Sequence, residues 1–135
     1  MRESATEFLT SELKKLVGWG CHPKRVALMP TLRGLAGVEE DTSFVTAGYI
    51  VRRYLEEAIS KLEGHYTFMG RSYEAHDMKR WFRLLLQFEG TAHSAENRRG
   101  RVIASMGVYC SVESWRRPFG SERDFLAILA QAMTS

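Results

Sequence analysis

The sequence has few of the residues that break or cross-link a chain. Its 135 residues include only three prolines and two cysteines, Cys21 and Cys110. Two cysteines are too few for the disulfide framework of a small secreted domain. No apolar run is as long as a membrane span, and the first residues are too polar for a signal peptide. The sequence therefore predicts a cytoplasmic protein with reduced thiols and no membrane partner.

Motifs for catalysis, metal binding and phosphate binding are also lacking. The cysteines and histidines show no paired spacing such as C-x-x-C or H-x-x-x-H, which would place two ligands on one metal. No G-x-S-x-G nucleophile motif and no glycine-rich phosphate loop occurs. Glu74, His76 and Asp77 share one predicted helical turn, where we favour a solvated first turn over acid–base chemistry. We expect no enzyme activity, no metal and no cofactor.

The composition predicts one globular domain. Hydrophobic residues make up 44% of the chain and charged residues 26%, which is typical of a protein with a single buried core. Apolar residues recur at the spacing of amphipathic helices along most of the chain. About seven helices are predicted: Thr6–Val17, Lys24–Gly37 with Pro30 opening a second short helix, Phe44–Leu62, Tyr73–Phe88, Ala95–Met106, Ser111–Arg117 and Glu122–Met133.

Serines and glycines mark the ends of these helices. Gly107 is expected to end the helix that begins at Ala95. Residues 66–72 favour an extended piece or a minimal hairpin, and residues 89–94 favour a loop. Helix-capping serines are expected at Ser72, Ser94, Ser111 and Ser121. We therefore predict an all-α fold, a single compact domain over residues 1–135. Its helix-turn-helix-like subdomain, at about 94–134, should pack against the Phe44–Leu62 helix.

Positive charge is concentrated in one segment. The chain has a net charge of +3, and residues 98–117 contain five arginines against a single acidic residue, Glu113. A helix that ends at Gly107, a turn and a second helix from Ser111 form the order of elements of a helix-turn-helix. Trp115 is placed to anchor the second helix to the core while the arginines face outward.

Three stretches of this region share a pattern with a group of known proteins. They read "RRGRVIASMGV", "SVESWRR" and "ERDFLAILA". Paired arginines, a helix that ends in "GV", a serine-capped short helix and an acidic start to a leucine-rich helix resemble the helix-turn-helix-like regions of uncharacterised actinobacterial proteins. The resemblance covers roughly the last 40 residues and implies a helix-turn-helix-like fold with a regulatory or nucleic-acid-binding role.

The segment departs from the usual motif in its turn and its second helix. The turn "GVYCS" is about two residues longer than the common form, and the second helix has fewer than two turns before Pro118. Ile103 also stands where a small residue normally lets the two helices approach closely. These departures weaken the prediction of base readout more than the prediction of the fold.

The sequence predicts a small regulatory protein that binds duplex DNA through this basic segment. Arginine suits the role because its planar fork binds guanine or phosphate bidentately. A homodimer through the N-terminal helices is expected if the target is a palindrome. The candidate binding residues are Arg116 and Arg117 for bases or phosphates, Ser111 and Ser114 as their supports, and Arg98, Arg99 and Arg101 for the backbone.

The alternative function is a helical adaptor that acts with a larger signalling or defence protein and has no nucleic-acid role. A protein partner would dock on the aromatic faces around Trp19, Trp81 and Trp115, because Trp and Arg are favoured interface anchors. The two functions predict different arrangements of the charged side chains. DNA binding requires the arginines to share an exposed face, whereas carboxylate partners would cancel their charge.

Overall fold

The computed structural model describes residues 2–88 and 93–135. Within these residues the chain forms eight α-helices and one small sheet, which confirms the mostly helical prediction. In chain order the elements are α1 (Arg2–Trp19), α2 (Pro23–Val26), α3 (Pro30–Leu35), α4 (Phe44–Ser60), β1 (His65–Phe68), β2 (Arg71–Glu74), α5 (Ala75–Leu86), α6 (Ala95–Met106), α7 (Val112–Trp115) and α8 (Ser121–Thr134).

The first and last helices run antiparallel along each other. The hydroxyls of Thr6 in α1 and Thr134 in α8 are hydrogen-bonded at 2.7 Å, while Lys14 lies beside Glu122 at the start of α8. α6 packs on α5 and α1, and α2 packs on α4. α8 also contacts α4, but it lies mainly against α1. α8 is therefore held mainly by α1, and its predicted packing against α4 is the smaller contact.

Pro30 opens a separate short helix, as predicted. Proline is tolerated at the first position of α3 because the N–H it lacks would be unpaired there anyway. The next N–H groups, of Thr31 and Leu32, donate to the carboxylate of Glu12 at 2.8 and 2.9 Å. Glu12 is buried in α1. It therefore caps α3 from a different helix and fixes the two together.

Two of the expected serine caps are confirmed and two are wrong. The hydroxyls of Ser94 and Ser111 accept backbone N–H groups at the starts of α6 and α7, both at 3.1 Å. Ser72 lies in β2, because strand pairing continues to residue 74 and α5 begins only afterwards. Ser121 is the first residue of α8 rather than its cap. Gly107 ends α6 with a φ of 73°, as predicted. Residues 89–92 of the predicted loop lie outside the described residues.

The predicted hairpin is present over residues 65–74. Phe68 pairs with Arg71, so Met69 and Gly70 form a two-residue turn with φ values of 51° and 75°. Positive φ at both positions gives a turn whose twist matches that of the strands. The ring of Phe68 is buried and lies 5.8 Å from that of Trp115. The hairpin thus contributes to the same core as the C-terminal helices.

Gly48 lets α2 approach α4 closely. A Cβ at this position would overlap the carbonyl group of Pro23, with the carbonyl carbon only 2.7 Å away. Both obstructing atoms belong to the backbone, so no side chain can rotate away to make room. The short helix α2 therefore rests on the bare backbone of α4.

Gly48→Ala is expected to lower the free energy of unfolding by about 1–3 kcal/mol, because α2 must move off α4. The matched control is Gly18→Ala. A methyl group at Gly18, also inside a helix, meets nothing within 4 Å. It should add about 0.5–1 kcal/mol by reducing the freedom of the unfolded chain. Urea unfolding of the two variants measures both changes, and a stable Gly48→Ala protein would contradict the close packing.

Candidate nucleic-acid interface

A basic groove opens where α1, α6, α7 and the start of α8 meet. Its volume is about 660 Å³. The lining contains six cationic side chains and one carboxylate, that of Glu113. The groove is lined by Ser11, Lys14, Lys15, Arg99, Glu113, Arg116, Arg117, Pro118, Phe119 and Arg123. These ten residues are termed the basic groove below.

Glu122 lies beneath the basic groove and orients two of its cations. Its fully buried carboxylate accepts two hydrogen bonds from Arg99, at 2.7 and 2.9 Å, and one from Lys14 at 2.9 Å. Lys14 also donates to the carbonyl of Arg116 at 2.9 Å. One carboxylate thereby joins α1, α6 and α8 and, through Lys14, the end of α7. Lys14 and Arg99 are termed the floor cations.

Four further cations surround the opening and are termed the rim cations: Lys15, Arg116, Arg117 and Arg123. Among the described residues, no carboxylate forms an ion pair with any of them. The side chain of Arg123 makes one long hydrogen bond, of 3.4 Å, to the hydroxyl of Ser11. The rim cations therefore carry positive charge that no ion pair within the described residues neutralises, and an anion can approach them from solvent.

Phe119 stands at the edge of the basic groove on a tight turn. The N–H of Gly120 donates to the carbonyl of Arg117 at 2.9 Å, so residues 117–120 form a β-turn. Pro118 occupies the second position of that turn, where its fixed φ is favourable. Phe119 follows it and is 87% exposed. The guanidinium of Arg123 lies over one face of the ring, 5.4 Å from its centroid.

The position of Arg98 corrects the sequence prediction. Arg98 is 3% exposed and donates to the backbone carbonyls of Val17, Leu85 and His93. Burial, reinforced by the nearby charge of Arg99, lowers the pKa of its guanidinium. Arginine nevertheless stays charged in proteins. Arg98 therefore ties α6 to α1 and α5 and is not available to a phosphate.

The other predicted residues divide into two groups. Arg99, Arg116 and Arg117 line the basic groove. Arg101 is exposed but lies two positions beyond Arg99, which places it about 200° around α6 from the groove. The serines also fall outside the lining. The Ser111 hydroxyl caps α7 by accepting the N–H of Ser114.

Seven groove residues were absent from the predicted binding set: Ser11, Lys14, Lys15, Glu113, Pro118, Phe119 and Arg123. The two lysines are distant in the chain from the arginine segment, and the packing of α1 on α6 and α8 brings them to it. The sequence around Arg123 did contain an indication of a functional role. It lies in the first turn of α8, where a positive charge opposes the helix dipole, and it interrupts the acidic pair Glu122 and Asp124.

The proposed protein-docking tryptophans are mostly buried. Trp81 is 3% exposed and Trp115 is fully buried, so neither can anchor a partner. Trp19 is 46% exposed, with the guanidinium of Arg25 over its ring. The prediction that Trp115 anchors its helix to the core is confirmed, because the centroid of its ring lies within 5.8 Å of those of Phe68 and Phe125.

Sites of other chemistry are not apparent in the described part of the chain. No group of three or more His, Cys, Asp or Glu side chains there could hold a metal ion. Burial raises the pKa of Cys21 to about 12, so this thiol stays protonated and unreactive at neutral pH. None of the helices of residues 2–88 and 93–135 combines the length and apolarity needed to cross a membrane.

Glu122→Gln is expected to lower the free energy of unfolding by about 3 kcal/mol, because Arg99 and Lys14 lose the buried charge that holds them. The control is Glu57→Gln, which removes the exposed ion pair with Arg53. That change should stay within about 0.5 kcal/mol. Chemical unfolding of the two variants distinguishes the roles. Equal stability would show that the Glu122 contacts do not hold the helices together.

The comparisons with known proteins leave the interface to be interpreted from its own geometry. No family model, no curated protein and no solved structure matches the chain. The basic groove is distinguished by the number and pairing of its charged side chains and by the exposed ring of Phe119 at its edge.

Proposed function

We propose that the protein binds nucleic acid by holding the phosphate backbone in the basic groove. The observation that supports this most directly is the gathering of six cations around one opening, from α1, α6, α8 and the segment that follows α7, with Glu113 as the one carboxylate among the described lining residues. Arginine and lysine contacts to phosphates supply most of the sequence-independent affinity of nucleic-acid-binding proteins. The rim cations are suited to these contacts because no ion pair occupies them.

The length of α7 argues for backbone contacts over base readout. α7 contains four residues, little more than one turn, and its Trp115 is turned into the core. A recognition helix has to enter the major groove, which is about 12 Å wide, and present several side chains to base edges. α7 offers too little surface for that. The proposed regulatory role therefore depends on affinity for the polymer more than on a target sequence.

A second candidate function, docking of a protein partner, is favoured by one observation. The first turns of α4 expose four large apolar side chains, Phe44, Val45, Tyr49 and Ile50, each at least 38% exposed. Aromatic side chains, such as Phe44 and Tyr49, are enriched at protein interfaces relative to the rest of the surface. α4 contributes nothing to the lining of the basic groove. The two functions therefore use different faces and are compatible in one protein.

Binding should weaken steeply with salt, because each phosphate contact releases counterions. Four rim cations predict a slope of about −2.8 to −3.6 in a plot of log affinity against log salt. That slope is a loss of roughly 50- to 150-fold in affinity between about 50 and about 200 mM salt. The Arg116→Ala/Arg117→Ala double variant should bind more weakly at low salt, with a slope shallower by about 2. Fluorescence anisotropy with labelled oligonucleotides measures both quantities.

Two further variants control this experiment. Arg53→Ala/Lys61→Ala removes the same charge from α4 and the residue that follows it, outside the basic groove, and should leave the slope unchanged. Glu113→Gln removes the only lining carboxylate and should tighten binding severalfold. Loss of affinity in both double variants alike would move the site elsewhere, and no binding at low salt would refute the nucleic-acid role.

A further inference from the structure

Phosphate binding does not account for Phe119. The ring is 87% exposed at the edge of a groove whose other large side chains are charged. A hydrophobic ring in water gives no benefit to a surface that contacts only phosphates. The ring is also held in place, since Pro118 and the hydrogen bond between Gly120 and Arg117 fix the turn that carries it.

The ring of Phe119 has one covered face and one open face. Arg123 covers the first, with its guanidinium 5.4 Å from the ring centroid. A cation in this position is attracted to the ring and restricts its rotation. The high exposure of Phe119 leaves the opposite face to solvent. A flat aromatic ligand can therefore stack there, on a ring that is already oriented.

Stacking of this kind requires an unpaired base. In a duplex the faces of the bases are hidden between their neighbours, so Phe119 would have nothing to stack on. The depth of the groove also favours a single strand over a duplex. The side chains of Lys14 and Arg99 are only 18% and 12% exposed. A duplex, as a broad cylinder, would meet the rim cations, whereas a single strand can enter and approach the floor cations as well.

Building on the proposed nucleic-acid function, we propose that the preferred ligand is a single strand. Its phosphates lie on the rim and floor cations, and one of its bases stacks on the open face of Phe119. Combinations of a basic groove with stacking aromatic side chains are typical of proteins that bind single strands without sequence preference. The open groove and the four-residue length of α7 agree with that mode of binding.

The preference for single strands is measurable, because charge alone would produce the opposite order. A duplex has a higher density of phosphates, so a purely electrostatic surface binds it more tightly. We expect the intact protein to bind oligothymidylate or oligouridylate of about 12 nucleotides at least about tenfold more tightly than a duplex of the same length. Anisotropy titrations at one low salt concentration give the comparison.

Phe119→Ala should weaken single-strand binding about tenfold and leave duplex binding unchanged, since one base–aromatic stack contributes about 1–3 kcal/mol. Phe119→Trp should retain or improve single-strand binding. Tyr49→Ala is the matched control, because Tyr49 is an aromatic side chain 61% exposed on α4, outside the basic groove. It should change neither affinity. Circular dichroism confirms that each variant is folded.

The outcomes separate this inference from the proposed function. Salt-dependent binding with equal or tighter affinity for the duplex would overturn the single-strand preference and leave the phosphate-binding role intact. An unchanged single-strand affinity in Phe119→Ala would overturn the stacking role in the same way. Failure of the protein to bind any of these probes at low salt would refute both.

Discussion

The buried carboxylate of Glu122 is the contact on which the C-terminal half of the molecule depends. It lies at the start of α8 and binds Arg99 of α6 and Lys14 of α1 together. A carboxylate without water must be paired, and a pair that is broken on one side leaves a costly buried charge. The three helices therefore have one mutual arrangement that satisfies all of these groups, and the basic groove is the surface which that arrangement leaves open.

The same contact divides the cations of the groove into two kinds. The floor cations are part of the folded structure, and their positions are set before any ligand arrives. Of the rim cations, Lys15, Arg116 and Arg117 are exposed and can reorient toward an anion, whereas Arg123 is held over the ring of Phe119. Contacts that are already ordered lose little conformational entropy on binding, whereas mobile side chains lose more. The groove therefore has ordered floor cations and more mobile cations at its rim, an arrangement that suits a flexible polymer better than a rigid one.

The sequence predicted the elements well because their signals are local. The period of apolar residues, Pro30 and the glycine at position 107 depend on neighbours a few residues away, and the corresponding helices and ends were confirmed. Ser72 was misassigned because a serine before an apolar run is compatible with a cap or with a strand. Pairing with β1 decided between them.

The candidate site was predicted less well, because its composition depends on tertiary packing. A run of arginines indicates basic character but cannot show which of them turn inward. Arg98 and Arg99 are adjacent in sequence, yet one is bound to backbone carbonyls in the core and the other to Glu122. Lys14 and Arg123 complete the groove from opposite ends of the chain, and no local pattern connects them.

The buried position of Arg98 reduces the positive charge that this protein presents to solvent. The carbonyls of Val17 and Leu85 belong to the last turns of α1 and α5, where the partial negative charge of a helix dipole accumulates. The guanidinium thus offsets partial negative charge that comes from the backbone carbonyls of the two helix ends. A count of charged side chains omits this partial charge of the backbone and treats Arg98 as part of the surface. The formal charge of residues 98–117 therefore overstates the positive charge that they present to solvent, because Arg98 is 3% exposed.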